Sequence, residues 1–224
     1  MVALLIGLFL VGGLLMVLQE NKRTFTGQNA LAQLQDGERL AISMTADVIQ
    51  SAGYFPDPTT NTQVSALPLN AQFLTAGQSI VGTYAAAAPG DTLTVRYVTA
   101  TNDGVLNCSG RSNTTAGNQT YVNTFSVTGG QLVCAMNGTN FVLINGVQKL
   151  TALYGVKTNF AVDDNNVDTY LNAGQMTAAN WNNVISVNLA LTFTNPLYVA
   201  GQGQPQTIVF GRVIDLMNRI GVKK

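Results

Sequence analysis

The apolar residues of this chain fall into three patterns. Residues 1–18 (MVALLIGLFLVGGLLMVL) contain no charge, no Asn or Gln and no proline. Such a run at the N-terminus, ahead of a polar chain, predicts a helix that lies in a membrane. Roughly 20 apolar residues cross the hydrocarbon core, so this span is slightly short. After Gln19, Glu20, Asn21, Lys22 and Arg23 the apolar residues thin to a stripe. Phe25, Leu31, Leu34, Ala41, Met44, Val48 and Ala52 recur mostly at three- and four-residue steps, as on an amphipathic helix. Gly53, Pro56 and Pro58 stop the pattern. One continuous helix over residues 1–52 is therefore predicted, roughly 75–80 Å long at 1.5 Å per residue. Gly12 and Gly13 are its weak point, at about 1 kcal/mol each relative to alanine; there the helix can stretch or bend.

The third pattern has period two and begins after residue 90. Residues 92–99 (TLTVRYVT) place Leu93, Val95 and Tyr97 on one face. Residues 121–127 and 131–136 flank Gly129-Gly130, a hairpin signal. Residues 141–144 and 147–150 flank Asn145-Gly146, the strongest short hairpin dipeptide. Ile185, Val187, Leu189, Leu191 and Phe193 alternate with polar or small residues in a half-buried strand, and 207–213 reads as a last one. Residues 57–88 are Thr/Asn/Gln/Ala-rich and predict a long surface loop. The fold class is α+β: a long N-terminal helix packed on an antiparallel β-sheet domain. The division is 1–52 for the helix, with 1–18 in the membrane or a filament core, and 53–224 for a β-rich body.

A cleaved secretory signal is the alternative for the N-terminus. It needs a basic start and a small-residue cleavage site. Neither is present, and the helical pattern runs on past residue 18. Lys22 and Arg23 mark the membrane–water boundary on this reading; the positive-inside rule offers the opposite orientation, with the body in the cytosol.

Charge narrows the function classes. Lys+Arg and Asp+Glu both number 11 in 224 residues, for a net charge of zero. No positive field attracts nucleic acid, so none is expected as a partner. There are no histidines, which removes the usual general base and most zinc or iron sites. No paired carboxylates, nucleophile motif or phosphate loop stands out, and no enzyme activity is expected. The two cysteines, Cys108 and Cys134, read as one disulfide in an exported domain. It would close a loop of about 26 residues and contribute on the order of 3 kcal/mol; two separate buried thiols are the alternative.

One loop is a candidate cation site. Asp163, Asp164, Asn166 and Asp168 bring carboxylate and amide oxygens together, the donors calcium takes. The twelve-residue spacing with its closing glutamate is absent, and a solvated turn held by Asx bonds is the competing reading. Apart from this candidate calcium, no cofactor is expected. The sequons at Asn107, Asn113, Asn118 and Asn137 follow from a Thr/Asn-rich composition. Trp181 reads as a core or interface anchor.

These residues resemble a known family. The apolar MVALLIGLFLVGGLL, the helix QNALAQLQDGERLAISMTADVIQSAGYF and its ending at Gly53-Tyr54-Phe55 look like the N-terminal region of PilW-type minor pilins of type IV pili. Residues 91–97, 107–110 and 132–134 resemble the family's first long strand and two cysteine segments. Residues 145–147, 153–156 and 182–187 look like further blocks in the same order, and 213–219 like the closing strand. The family's basic leader, the glycine at its cleavage point, and the phenylalanine and glutamate that follow are not in this sequence. Met1 aligns just after that glutamate, so a start upstream of Met1 is expected, which also accounts for the short span.

The resemblance implies a pilin-like fold and a structural role. The protein would sit in the inner membrane as a single-pass protein with a periplasmic body, then pass into an extracellular pilus. Its partners would be other pilins and minor pilins in a helical filament, in pilus initiation or at the tip. Leu4, Leu5, Leu8, Phe9, Val11, Leu14, Leu15 and Leu18 are the candidate helix–helix contacts, since leaving lipid must be offset by reburial. A type II secretion minor pseudopilin and a membrane-tethered adhesin or binding module are the alternatives.

Overall fold

The structure, a computed structural model, describes residues 2–161 and 166–219. Helix α1 spans Val2–Gln50 without interruption, and the chain turns at 51–53. It passes straight through Gly12-Gly13, around which nothing lies within 4 Å. Only its far end is covered. Ala41, Ile42, Thr45, Ala46, Val48, Ile49 and Ala52 are all buried. Leu31 and Leu34 are half-buried and Phe25 is exposed. The buried face therefore begins later, and is wider, than the predicted stripe. The body reaches the middle of the helix at isolated points, such as the approach of Ile144, whose Cδ1 would meet a Cβ at Gly37 at 2.5 Å.

Two antiparallel sheets complete the body. The first has the order β1(Ile80–Thr83), β2(Thr92–Thr99), β3(Gln119–Thr128), β4(Gln131–Met136), β5(Thr139–Asn145). The second places β7(Thr169–Leu171), β6(Val147–Val156), β8(Val184–Thr194) and β9(Thr207–Asp215) side by side in that order. Short helices α2(Gln63–Ala66) and α3(Ala178–Trp181) lie in connections. Leu93, Val95 and Tyr97 of β2, Phe125 of β3, Leu150 and Tyr154 of β6 and Leu189 and Leu191 of β8 join the helix residues in one core. β8 pairs with β6 and β9 over most of its length, so its alternation was readable: one face meets the core.

The predicted hairpin at Gly129-Gly130 forms, with Thr128 paired to Gln131 and φ of 59° and 74°, as a primed two-residue turn requires. The one predicted at Asn145-Gly146 does not form. β5 pairs with β4 and β6 with β8, so this dipeptide is where the chain leaves one sheet for the other. The Gly146 and Val147 amides donate to Gly130 O, and Thr194 N donates to Gly146 O. A hairpin instead forms at Asn137-Gly138, joining β4 to β5. Both Asn-Gly pairs carry the residue chemistry of a tight turn, but only Asn137 adopts positive φ together with its glycine; the sheet in which the next strand finds its partner decides which becomes a hairpin.

Residues 57–88 also differ from expectation. They hold α2 and β1, and Leu67, Phe73 and Ile80 are fully buried. The densest tether is a single side chain, Arg96 of β2, which is 2 % exposed. Its Nε donates to Gln78 O at 2.6 Å, and its terminal nitrogens donate to Pro68 O at 2.7 Å and Leu67 O at 3.2 Å. The guanidinium stacks 4.2 Å from the Phe73 ring centre. Burial lowers its pKa to about 10, far enough above neutrality to keep it charged. A charge at that depth requires such partners, and they pull the segment onto the back of β2.

Candidate functional site

Leucine, a good helix former, supplies seven of residues 2–18. What they lack is anything to pack on. From Val2 to Leu18 the large apolar side chains described are 55–85 % exposed, on every side of the helix. Leu4, Leu8, Phe9, Val11, Leu14, Leu15 and Leu18 are all among them. Leu5 belongs to the same helix, and its side chain lies outside the described residues. Burying a side chain of this size contributes about 1.5–3 kcal/mol. The segment thus carries on the order of 20 kcal/mol of unspent hydrophobic driving force. The helix is long and apolar enough to cross a membrane there. Its polar break follows at once, with Glu20 and Arg23 paired at 3.9 Å on the exposed surface.

The other end of the helix is held hard. Thr45 buries its hydroxyl by donating to Ala41 O at 2.7 Å. Beyond the last turn, Gly53 N donates to Arg96 O and Val98 N to Tyr54 O, which ties the exit to β2. Asn218 Nδ2 donates to Gly53 O at 2.8 Å, bringing the segment after β9 to the same place. Burial, with Asp103 nearby, raises the Tyr54 pKa. The body therefore grips residues 41–54 and presents residues 2–18 as a free rod.

Cys108 and Cys134 form a disulfide, with Cα atoms 6.3 Å apart at a sequence separation of 26. It pins the 100–118 connection to β4. Tyr97 reinforces that loop by donating its hydroxyl to Leu106 O at 2.7 Å. Asn107 and Asn113 are buried and serve as turn-forming acceptor and donor. Trp181 packs edge-on against Tyr154, with ring centres 4.7 Å apart.

Asp163 and Asp164 lie outside the described residues. Asp168 Oδ2 accepts from the Thr158 and Asn159 amides, both at 2.7 Å, and Oδ1 lies 3.9 Å from the buried Lys157 ammonium. That carboxylate closes the loop at the end of β6. Among the described residues no three acidic or thiol side chains gather as a metal would need.

Arg96 is the organising residue the sequence reading missed. The available signal was a lone arginine inside an apolar strand, TLTVRYVT.

The family model of type IV pilus-assembly protein W matches residues 119–214. Among solved structures, a type IV-like pilin from Thermus thermophilus is similar at 12 % identity with a TM-score of 0.44, over 83 % of this chain and 97 % of that one. No curated protein matches the chain. The sequence blocks at 132–134, 145–147, 153–156 and 182–187 all fall inside the family match. From β3 to β9 the chain is thus similar to type IV pilus-assembly protein W, as its scattered sequence blocks imply.

Proposed function

We propose that this protein is a structural subunit of a type IV pilus, a minor pilin acting in pilus initiation or at the tip through its N-terminal helix. The observation that carries the reading is the uncovered apolar rod, continuous with a helix end locked into the body, in a chain matched by a pilus-assembly family. Before assembly the rod rests in the inner membrane, where lipid solvates its side chains and the helix satisfies its own backbone. On extraction, equivalent helices of neighbouring pilins rebury the same side chains. Leu8, Phe9, Leu14 and Leu15 are central to that contact. The role is assembly, not catalysis.

The test is incorporation into sheared filaments of variants Leu8→Glu and Leu14→Glu, with the body's folding checked in parallel. Loss from filaments with an unchanged body supports the proposal. A tethered binding module behaves differently: a foreign membrane anchor in place of residues 1–18 would restore its activity. Full rescue of pilus assembly by such an anchor would overturn the filament role.

A further inference from the structure

Helix α1 carries five glycines, at 7, 12, 13, 27 and 37. Around the first three, nothing lies within 4 Å of where a Cβ would stand. The other two each receive an aliphatic tip from the body. A Cβ at Gly27 would lie 2.9 Å from Leu197 Cδ2, and one at Gly37 would lie 2.5 Å from Ile144 Cδ1. The tips come from different places: Ile144 from β5 in the first sheet, Leu197 from the connection between β8 and β9 in the second. Both are held from behind. Ile144 pairs with Leu132 of β4. Behind Leu197, the buried Asn195 donates its Nδ2 to Pro205 O at 2.7 Å, and its Oδ1 accepts from Leu197 N at 2.9 Å. Between this connection and residues 19–30 a groove of about 930 Å³ stays open. The loop thus stands off that stretch of helix, and Leu197 bridges the gap.

Glycine is what lets the tips come so close. Two carbon atoms rest about 3.5–4.0 Å apart, so even an alanine methyl at 27 or 37 would press on the tip facing it. After proline, glycine is also the residue least suited to a helix interior, and these two stand in the middle of one. They share the face that the core buries further along. Gly37 stands about one turn before Ala41, and Gly27 about five turns before Thr45, both of which are fully buried. The helix is therefore gripped from Ala41 onwards and propped at two points on its way to the free rod. The outer prop has leverage. A push of about 2 Å at residue 27 acts about 21 Å from Ala41; it moves Val2, about 58 Å from Ala41, by about 5–6 Å.

We propose that Gly27 and Gly37 are positioning residues for assembly: they seat Leu197 and Ile144 and so fix the angle at which the free rod leaves the body. A larger residue at either position holds the helix off the body and swings the rod. The inference rests on the filament reading above, in which the rods of neighbouring pilins pack side by side. With the rods packed, the angle of each rod to its body decides where that body sits against the next. Both glycines face their own body, so each acts through the aliphatic tip it receives and not by touching a neighbouring helix.

The experiment uses the full chain in detergent micelles, with the Cys108–Cys134 disulfide intact and nitroxides in pairs. One label is on the helix at Asn21→Cys; the other is on the body at Thr128→Cys or, separately, at Asn118→Cys. All three positions are exposed. Gly27→Leu is expected to shift the mean distance to at least one body site by about 3 Å, from the lever of about 30 Å between Asn21 and Ala41. Adding Leu197→Ala to Gly27→Leu should bring the distance back, and the body's denaturant midpoint should hold throughout. Gly37→Leu repeats the test at the inner seat. In pilus-assembling cells, sheared filaments should hold severalfold less Gly27→Leu than parent, and the size swap should restore it. Unchanged distances in both leucine variants overturn the seating. Shifted distances with parental incorporation overturn the role in assembly. A size swap that restores the distance but not incorporation overturns the angle as the cause. Parental incorporation of Leu14→Glu overturns the filament reading beneath the proposal.

Discussion

The two ends of α1 are made of similar residues and live in opposite surroundings. At the far end Ala41, Ile42, Ala46, Val48, Ile49 and Ala52 are buried to within a few per cent by two sheets and a returning C-terminal segment. At 2–18 the same kinds of side chain are more than half exposed all round. The difference is not helix propensity but what the rest of the chain does with each end. The body uses one end to complete its own core. It leaves the other end for a solvent it does not contain. On the proposed function, stability and assembly are thereby separated along one continuous helix, and substitutions can address each without the other.

The largest effect should come from a charge in the free rod. A charged side chain at the middle of a span costs about 2.5–3.5 kcal/mol in a membrane, and again in any helix–helix contact. Leu14→Glu is expected to reduce incorporation into filaments by at least a hundredfold on that arithmetic. The denaturant midpoint of the body should stay where it was. A shift in both would break the comparison.

The reverse experiment is Ile49→Ala at the gripped end. Ile49 is fully buried, and truncation there costs about 2–5 kcal/mol. Chemical denaturation of the full chain in detergent should show the loss, while membrane anchoring is kept.

Arg96 sharpens the account of the body. Arg96→Met retains an apolar stem near Phe73 but strands the carbonyls of Leu67, Pro68 and Gln78, for a loss of about 3 kcal/mol. Limited proteolysis should then cut within residues 57–79 before the rest of the body unfolds. Cutting elsewhere first would show that the segment is held by Phe73 and Leu67 rather than by the guanidinium.

The smallest effect is on alkaline stability. Burial raises the pKa of Tyr97 and Tyr154 above the ordinary value of 10. A folded pKa above the unfolded one means that the folded state holds its protons longer. The stability linked to these two groups is complete below pH 10 and is lost as pH rises beyond it. Arg96, lowered by burial to about 10, acts in the opposite sense over the same range. Tyrosinate absorbance should therefore rise in two stages, with the exposed tyrosines first and the buried pair together with unfolding. A single stage complete before unfolding would contradict the burial of both rings.

Much of the fold was legible because periodicity reports which side of an element is covered. The 1–18 run, the stripe ending near residue 52 and the alternation in β8 each record a surrounding that a single segment senses. The Cys108–Cys134 bridge was legible from an even cysteine pair behind an apolar N-terminal span. What escaped depends on partners distant in sequence. Asn145-Gly146 has hairpin chemistry, but β6 finds its neighbour at β8, some forty residues on. Residues 57–79 look like an open loop, and it is Arg96, with Gln72 on Thr94, that ties them over β2. The groove beside residues 19–30 needs a loop from near residue 200. The free rod, by contrast, needs no internal partner, which is why it was the plainest feature of the sequence.

The central claim is that residues 2–18 exchange lipid for other pilin helices. The direct measurement is photocrosslinking in pilus-assembling cells with a light-activated residue at Phe9, followed by mass analysis of sheared filaments and membranes. The account predicts adducts with the N-terminal helix of another pilin in the filament fraction, and lipid adducts or none in the membrane fraction. A chain found wholly in the membrane, crosslinked to no pilin in actively assembling cells, would contradict it.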